Sequence, residues 1–198
     1  RNEPEQAYAR FQDSVNSFPQ AYDSFSALSA LVDAGIPVNE LQRGTIDYNL
    51  GKYGLAVDAF TRYIRSSDTP DATAYYLKAM SLVEMEQYVE AFQDFDTVIS
   101  QYAGTGYFIK AWQEKAYTQW AYLERFAEAA DTLLSFVRLY PADASAPDFL
   151  FEAARIYERG GMLQEAANTW ARILDEYPNY NGSYQAIFLS GITTYRIG

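Results

Sequence analysis

The segment Lys52–Phe60, KYGLAVDAF, reveals the architecture, because its spacing returns three more times along the chain. Tyr53, Ala56 and Phe60 are three and four residues apart and therefore share one face of a helix. The same pattern of large, small and large residues occurs in QYVEAFQDF (87–95), RFAEAADTL (125–133) and MLQEAANTW (162–170). A small residue lets two helices approach closely, so four alanines are predicted to be almost inaccessible: Ala56, Ala91, Ala129 and Ala166.

The small residue recurs after 35, 38 and 37 residues, close to the period of ~34 of tetratricopeptide repeats. Twelve residues before each alanine, the preceding helix should place a small or aromatic residue: Gly44, Ala79, Tyr117 and Ala154. Breaks containing proline, in DTPDA, LYPAD and EYPNY, follow the second helices. In the first break, Thr69 is predicted to cap a helix that has Pro70 in its first turn.

This spacing predicts helices over 37–49, 53–66, 70–86, 88–102, 107–122, 126–139, 147–159, 163–176 and 183–197. Two further helices are expected at 3–18 and 21–35, the second of which makes one unit irregular. The predicted fold is therefore all-α: a right-handed, tetratricopeptide-like superhelix of about five helix pairs, forming a single domain over 1–198.

Two phrases indicate that the superhelix is truncated at both ends. RGTIDYNLG (43–51) and SGITTYRIG (190–198) align Gly191 with Gly44, but only the first is followed by a second helix. The segment Glu3–Phe18 likewise reads as a second helix without its first. We expect the apolar face of 183–197 to be masked by self-association, or that helix to fray, because a repeat cannot bury its apolar face alone.

Composition excludes several classes of function. The net charge of −11, with 15 basic residues among 26 acidic ones, argues against nucleic acid and anionic membrane as partners. The absence of Cys and His removes thiolate nucleophiles, Ser-His-Asp catalysis and the usual zinc sites. Pairs of carboxylates remain, but Asp94 and Asp96, two residues apart on a helix, face different directions. We therefore predict a segment that is not an enzyme and needs no cofactor or metal.

Longer phrases resemble the helical superhelix that precedes the lysozyme-like domain of bacterial soluble lytic transglycosylases. They are YDSFSALSALVDAG (22–35), VNELQRGTIDYNLGKYGLAVDAFTRYI (38–64), DFLFEAARIYERGGMLQEAANTWARILDEYP (148–178) and YQAIFLSGITTYRIG (184–198). The catalytic Glu-Ser motif of that family, ahead of a Gly-Leu-Met-Gln segment, is absent. The resemblance implies a cell-wall context outside the cytoplasm and gives no residue here a catalytic role.

Binding is the remaining function. If the first helices line a concave face, as in tetratricopeptide superhelices, the inward positions form a strip of aromatic and charged residues: Tyr48, Asn49, Tyr76, Glu84, Glu114, Tyr122, Phe151, Arg155 and Arg159. Tyr rings there could stack on sugars or on a peptide, or could simply fill seams between helices. Arg155 and Arg159 could hold a carboxylate, or could pair with Glu152 or Glu158.

The sequence thus predicts a non-catalytic scaffold of the cell envelope, in which the strip binds peptidoglycan glycan or partner proteins, and which could self-associate. The envelope protein expected is a lytic murein transglycosylase located outside the cytoplasm. The alternative is a general tetratricopeptide adaptor for protein–protein interaction, unrelated to the cell wall, in the envelope or the cytoplasm.

Overall fold

A computed structural model describes residues 3–19 and 21–198, and these form eleven α-helices and no strand. The helices are α1 (Glu3–Ser17), α2 (Tyr22–Asp33), α3 (Glu40–Asn49), α4 (Tyr53–Ser66), α5 (Ala72–Glu84), α6 (Tyr88–Gln101), α7 (Phe108–Ala121), α8 (Phe126–Leu139), α9 (Ala146–Arg159), α10 (Leu163–Glu176) and α11 (Ser183–Ile197). The predicted all-helical fold is confirmed, and most helix ends lie within two residues of their predicted positions.

The start of α5 corrects one prediction. Asp71, not Thr69, is the N-cap, because its carboxylate accepts a hydrogen bond from the backbone N–H of Thr73 at 2.7 Å. Pro70 therefore precedes the helix and does not occupy its first turn. The physical reason is that an ionised carboxylate is a stronger cap than a threonine hydroxyl and also favours the positive end of the helix dipole.

The described chain forms two compact units, one ending at Tyr107 and the other starting at Phe108. The first unit contains α1 to α6, and the single domain predicted over 1–198 stays a prediction. In this unit α1, α2 and α3 share a core around Val15, Leu28, Leu31 and Ile46. A second cluster joins Phe60 of α4 to the helices on either side of it.

The second unit contains α7 to α11, and its core is aromatic. The rings of Phe136 and Phe149 stack with centroids 4.2 Å apart, and Trp112 meets Phe136 edge-on at 5.9 Å. Phe108 and Tyr140 pack against the same ring. Aromatic pairs of this kind add stabilisation beyond the area that they bury. They hold α7, α8 and α9 together.

Each helix pair is built around the predicted small residue. Ala56, Ala91, Ala129 and Ala166 are completely inaccessible, which confirms the prediction. On the second helix of a pair, a large residue stands four positions after this alanine. It contacts the first helix at the position three residues before that helix's own small residue. Thus Phe95 contacts Tyr76, with ring centroids 6.1 Å apart, and Trp170 contacts Phe151 at 4.7 Å. Leu41 of α3 packs against the buried cluster that contains Ala56 and Phe60.

The turns within the pairs correct a second prediction. Three turns contain three residues (50–52, 85–87 and 160–162), whereas the turn between α7 and α8 contains four (122–125). The backbone N–H of Arg125 consequently reaches back six residues to Gln119, while Lys52 reaches back five residues to Asp47. The register of α7 therefore shifts by one position. Ala116 is buried where Tyr117 was predicted, and Tyr117 is exposed.

One residue in each of these turns has a left-handed backbone. Gly51 and Gly161 occupy this position in two turns, with φ of 69° and 73°. Glu86 and Glu124 occupy it in the other two, with φ of 59° and 55°. Residues with a Cβ pay a conformational cost there that glycine does not pay. Two of the four pairs thus carry backbone strain at the same place.

In two helix pairs, a tyrosine at the end of the second helix forms a hydrogen bond with the segment that precedes the first helix. The hydroxyl of Tyr102, the C-cap of α6, donates to the carbonyl of Pro70 at 2.8 Å, and the hydroxyl of Tyr177, the C-cap of α10, donates to that of Pro141 at 3.0 Å. Each bond joins the end of the second helix to the segment just before the first. A proline lacks an N–H but keeps its carbonyl as an acceptor.

Candidate functional site

A pocket lies between α7 and α9 in the second unit. Its volume is about 580 Å³. From α7 it is lined by Gln113, Glu114, Ala116, Tyr117 and Trp120. From α9 and its neighbours it is lined by Asp148, Phe149, Phe151, Glu152, Ile156, Leu133 and Tyr180. This site, called the α7–α9 pocket below, has mainly apolar walls and a few carboxylates, as ligand sites in proteins commonly have.

Three carboxylates line the α7–α9 pocket. Glu114 is half-buried on α7. Burial raises the pKa of its carboxyl, and the positive charge of Lys110 lowers it in part. Asp148 accepts a hydrogen bond from the hydroxyl of Tyr180 at 2.6 Å. Glu152 accepts one from the guanidinium of Arg159 at 3.3 Å.

The aromatic wall of the pocket already holds a cation. The guanidinium of Arg159 lies 4.4 Å from the centroid of the Trp120 ring while it also donates to Glu152. A cation over an aromatic face is attracted by the negative potential of the ring. Tyr117 packs edge-on against Trp120 at 5.2 Å, which fixes the orientation of the indole. The pocket therefore presents an oriented ring beside carboxylates.

Four of the nine residues of the predicted strip lie in the first unit, and the other five lie in the second. In the first unit, Tyr76 is only 8% exposed, and its ring lies 6.1 Å from Phe95 and 4.8 Å from Tyr107. Tyr48 is half-buried beside Tyr53 at 6.0 Å. The ring of Tyr48 thus packs against α4, and the ring of Tyr76 packs against α6. Asn49 and Glu84 are exposed at the ends of α3 and α5.

In the second unit, Glu114 and Phe151 line the α7–α9 pocket, and Arg159 stands at its edge through Glu152 and Trp120. Arg155 is exposed one turn before Arg159 and does not line it. Tyr122 lies after the end of α7, with its ring 5.8 Å from that of Tyr117. The use of these residues as a binding strip stays a prediction.

Sequence reasoning missed Trp120, Tyr117 and Tyr180 as pocket residues. The one-residue insertion after α7 hid Trp120, because the repeat alignment assumed the shorter turn. Tyr180 lies in the EYPNY break, which was interpreted only as a helix stop. Its hydroxyl bond to Asp148 joins residues 32 positions apart, and no local pattern could reveal it.

Asp94 is the buried member of the carboxylate pair formed by Asp94 and Asp96, and Asp96 is exposed. Asp94 is buried and forms an ion pair with Lys78 at 2.9 Å, which makes it a structural group that joins α6 to α5. Burial raises its pKa, and the hydrogen bond from Lys78 lowers it in part. Within residues 3–19 and 21–198, no cluster of three or more Asp and Glu side chains could hold a metal ion. None of the helices in these ranges is both long and apolar enough to cross a membrane.

Comparison with known protein families identifies two segments of the chain that match tetratricopeptide repeat models. One tetratricopeptide repeat model matches residues 41–104, and another matches residues 148–180. Each of these two segments is therefore similar to tetratricopeptide repeats. The first covers nearly all of α3 and the whole of α4 to α6, and the second covers α10 and nearly all of α9. The tetratricopeptide-like fold predicted from the spacing of small residues is therefore confirmed.

The chain was also compared with solved structures and with curated proteins. The solved structure of MamA AMB-1 is similar to this chain with a TM-score of 0.48 and 16% sequence identity. The similarity covers 80% of this chain and 89% of that chain. No curated protein matches the sequence significantly.

Proposed function

We propose that the chain is a protein-interaction scaffold whose second unit binds a segment of a partner protein in the α7–α9 pocket. The observation that carries the proposal is the collection of aromatic side chains and carboxylates around one cavity of about 580 Å³. Tetratricopeptide repeats support a protein as the partner, since they present stacked helix pairs to peptide segments. The pocket lies on the first helices of its pairs, α7 and α9, as the concave-face hypothesis requires.

The lining favours a segment with an apolar or aromatic side chain next to Lys or Arg. Three carboxylates face the pocket, and none of its twelve lining residues is a cation. Phe151 offers apolar surface to a side chain of the partner, as does the part of Trp120 that Arg159 leaves open. A basic partner would also be attracted from a distance by the net charge of −11. Charge and shape therefore select the same kind of segment.

A peptide array tests this function. Short peptides carrying Leu or Phe flanked by Lys, Gln or Glu are applied to the protein, and binding is measured by fluorescence anisotropy. We expect the peptides flanked by Lys to bind best and their binding to weaken as salt screens the charges. Trp120→Ala should weaken binding about tenfold, which corresponds to ~1.4 kcal/mol. Arg138→Gln, exposed on α8 and outside the pocket lining, is the control that should leave binding unchanged. Equal binding of the peptides flanked by Glu would refute the charge argument.

We further propose that the scaffold belongs to a cell-envelope protein, as the superhelical region of a lytic murein transglycosylase. The phrases YDSFSALSALVDAG and DFLFEAARIYERGGMLQEAANTWARILDEYP support this proposal. An aromatic pocket edged by carboxylates and a tyrosine hydroxyl also suits a sugar ring, which stacks on aromatic faces and forms hydrogen bonds through its hydroxyls. On this proposal the scaffold works outside the cytoplasm and positions glycan strands for a separate enzyme domain.

The gene on either side of this segment tests the envelope proposal. A secretory leader upstream and a lysozyme-like domain with a Glu-Ser motif downstream would support it. Soluble peptidoglycan fragments provide a direct test, because their binding should fall with Trp120→Ala. A cytoplasmic gene context together with no fragment binding would leave the general adaptor as the function.

A further inference from the structure

Arg159, the last residue of α9, bridges two residues that line the α7–α9 pocket. Its guanidinium lies 4.4 Å from the centroid of the Trp120 ring on α7. It also donates, at 3.3 Å, to the carboxylate of Glu152, which stands two turns earlier on α9. Trp120 and Glu152 line the pocket, whereas Arg159 does not. An aromatic face and a carboxylate that meet on one cation form a cation subsite, and here the protein fills that subsite with its own side chain.

The contacts that hold Arg159 in the subsite are weak. Its side chain is 37% exposed and that of Glu152 is 42% exposed, and exposed ion pairs contribute little to stability because water screens them. Their N–O distance of 3.3 Å is longer than the roughly 2.7–2.9 Å of a strong charge-assisted hydrogen bond. Because Arg159 stands in the last turn of α9, a guanidinium that leaves the ring keeps its attraction to the helix end. Another cation can therefore displace it at small cost.

The subsite keeps its shape without Arg159. Tyr117 packs edge-on against Trp120 at 5.2 Å and orients the indole from its own helix. On α9, the ring of Phe149 stacks on Phe136 of α8 at 4.2 Å, which fixes the helix that carries the carboxylate. The ring and the carboxylate are thus positioned by the core, and a cation from outside meets a subsite that is already formed.

We propose that Arg159 is a resident competitor, which an Arg or Lys side chain of the bound segment replaces between Trp120 and Glu152. This inference rests on the proposed function, since it concerns the same pocket, and it goes further by assigning the place of the partner's cation. Arg should be preferred to Lys, because a planar guanidinium stacks on an indole and offers several donors to a carboxylate, as Arg159 itself does.

The competition makes the pocket selective. A segment with a cation can take over both contacts of Arg159, whereas a neutral segment leaves that side chain in place. Arg159 should therefore lower the affinity for cationic segments and have little effect on neutral ones. This role is the opposite of one in which Arg159 attracts a carboxylate of the ligand, so a single substitution distinguishes the two.

A small cation tests the subsite without a partner protein. N-acetyl-arginine amide is titrated into the 198-residue protein, and the indole N–H signal of Trp120 is followed by NMR. In Arg159→Gln, we expect the midpoint of the shift at a concentration at least about tenfold lower than in the parent. Arg155→Gln is the matched control, because it removes the same charge from an exposed position one turn earlier and should behave as the parent. Adding Glu152→Gln to Arg159→Gln should abolish the gain.

Peptides separate this inference from the proposed function. Fluorescein-labelled peptides with Phe flanked by Arg should bind Arg159→Gln about tenfold more tightly than the parent, and those flanked by Gln should bind both proteins equally. If no peptide binds but the small cation does, the proposed function fails and the cation subsite stands. The inference is overturned if N-acetyl-arginine amide leaves the Trp120 signal of Arg159→Gln unchanged. It is also overturned if Arg159→Gln weakens the binding of the cation, or if Arg155→Gln gains as much as Arg159→Gln.

Discussion

Gly44 lies beneath the ring of Phe60, so closely that a Cβ on residue 44 would stand 2.6 Å from Cδ1 and Cε1 of that ring. Its partner in the internal repeat, Gly191, has open space at the same point. The two glycines occupy equivalent places in similar phrases but have different surroundings. The same substitution should therefore have opposite effects at the two sites.

We expect Gly44→Ala to destabilise the protein by about 1–3 kcal/mol, since Phe60 or α4 must move to admit the methyl group. Gly191→Ala should stabilise it by about 0.5–1 kcal/mol, because alanine favours an exposed helix interior over glycine. Urea unfolding of both variants measures the difference. Equal effects at the two positions would show that the ring of Phe60 does not rest on Gly44.

Ala91 marks the crossing of α5 and α6 and is completely buried. Ala91→Leu should lower the free energy of unfolding by about 1–3 kcal/mol through overpacking. Gln93→Leu places the same side chain on the exposed side of α6 and serves as the matched control. Thermal unfolding of the two variants provides the comparison. A neutral result for Ala91→Leu would argue against the close pairing of α5 and α6.

Glu86 holds a left-handed backbone conformation in the turn where two other pairs have glycine. Glu86→Gly should raise the free energy of unfolding by about 1 kcal/mol, because it relieves the backbone strain. Gln93→Gly, in the middle of α6, should lower it by about 1 kcal/mol. Chemical denaturation separates the two outcomes. Destabilisation by both substitutions would mean that the turn gains more from the Glu86 side chain than it loses in strain.

Asp47 is a buried carboxyl whose pKa rises from 3.8 to about 6, because burial outweighs the attraction of Arg43 and Arg62. Arg43 approaches it only to 3.9 Å, and Glu40 raises the pKa further. The folded protein therefore holds this proton more tightly than the unfolded chain does. As the pH rises from about 4 to about 6, this group makes unfolding easier.

Asp47→Asn removes that contribution. The variant should equal or exceed the parent in stability at pH 7, by up to about 1–3 kcal/mol, and the difference should fall as the pH approaches 4. Urea titrations at pH 4, 5, 6 and 7 measure the difference directly. A difference that is constant with pH would show that Asp47 titrates normally in the folded protein.

Much of the fold could be predicted because its signals are local. The spacing of Tyr53, Ala56 and Phe60 defines a helix face by the geometry of the helix alone, and its recurrence located the helix pairs. The cap of α5 was misplaced by two residues because Thr69 and Asp71 are both residue types that cap helices, and the stronger acceptor, the carboxylate of Asp71, holds the position. In the sequence, the extra residue after α7 shows only as a longer interval, of 38 residues, between Ala91 and Ala129.

Local sequence was sufficient to define the helices, their pairing and the small residues at their crossings, because helical periodicity and proline breaks act over a few residues. The three-dimensional arrangement was needed to separate the aromatic side chains of the core from those of the surface. Tyr76 and Tyr117 both stand on first helices, yet Tyr76 is sealed by Phe95 and Tyr107, whereas Tyr117 lines the pocket beside Trp120. That difference depends on what distant segments bring to each ring, and no spacing within one helix records it.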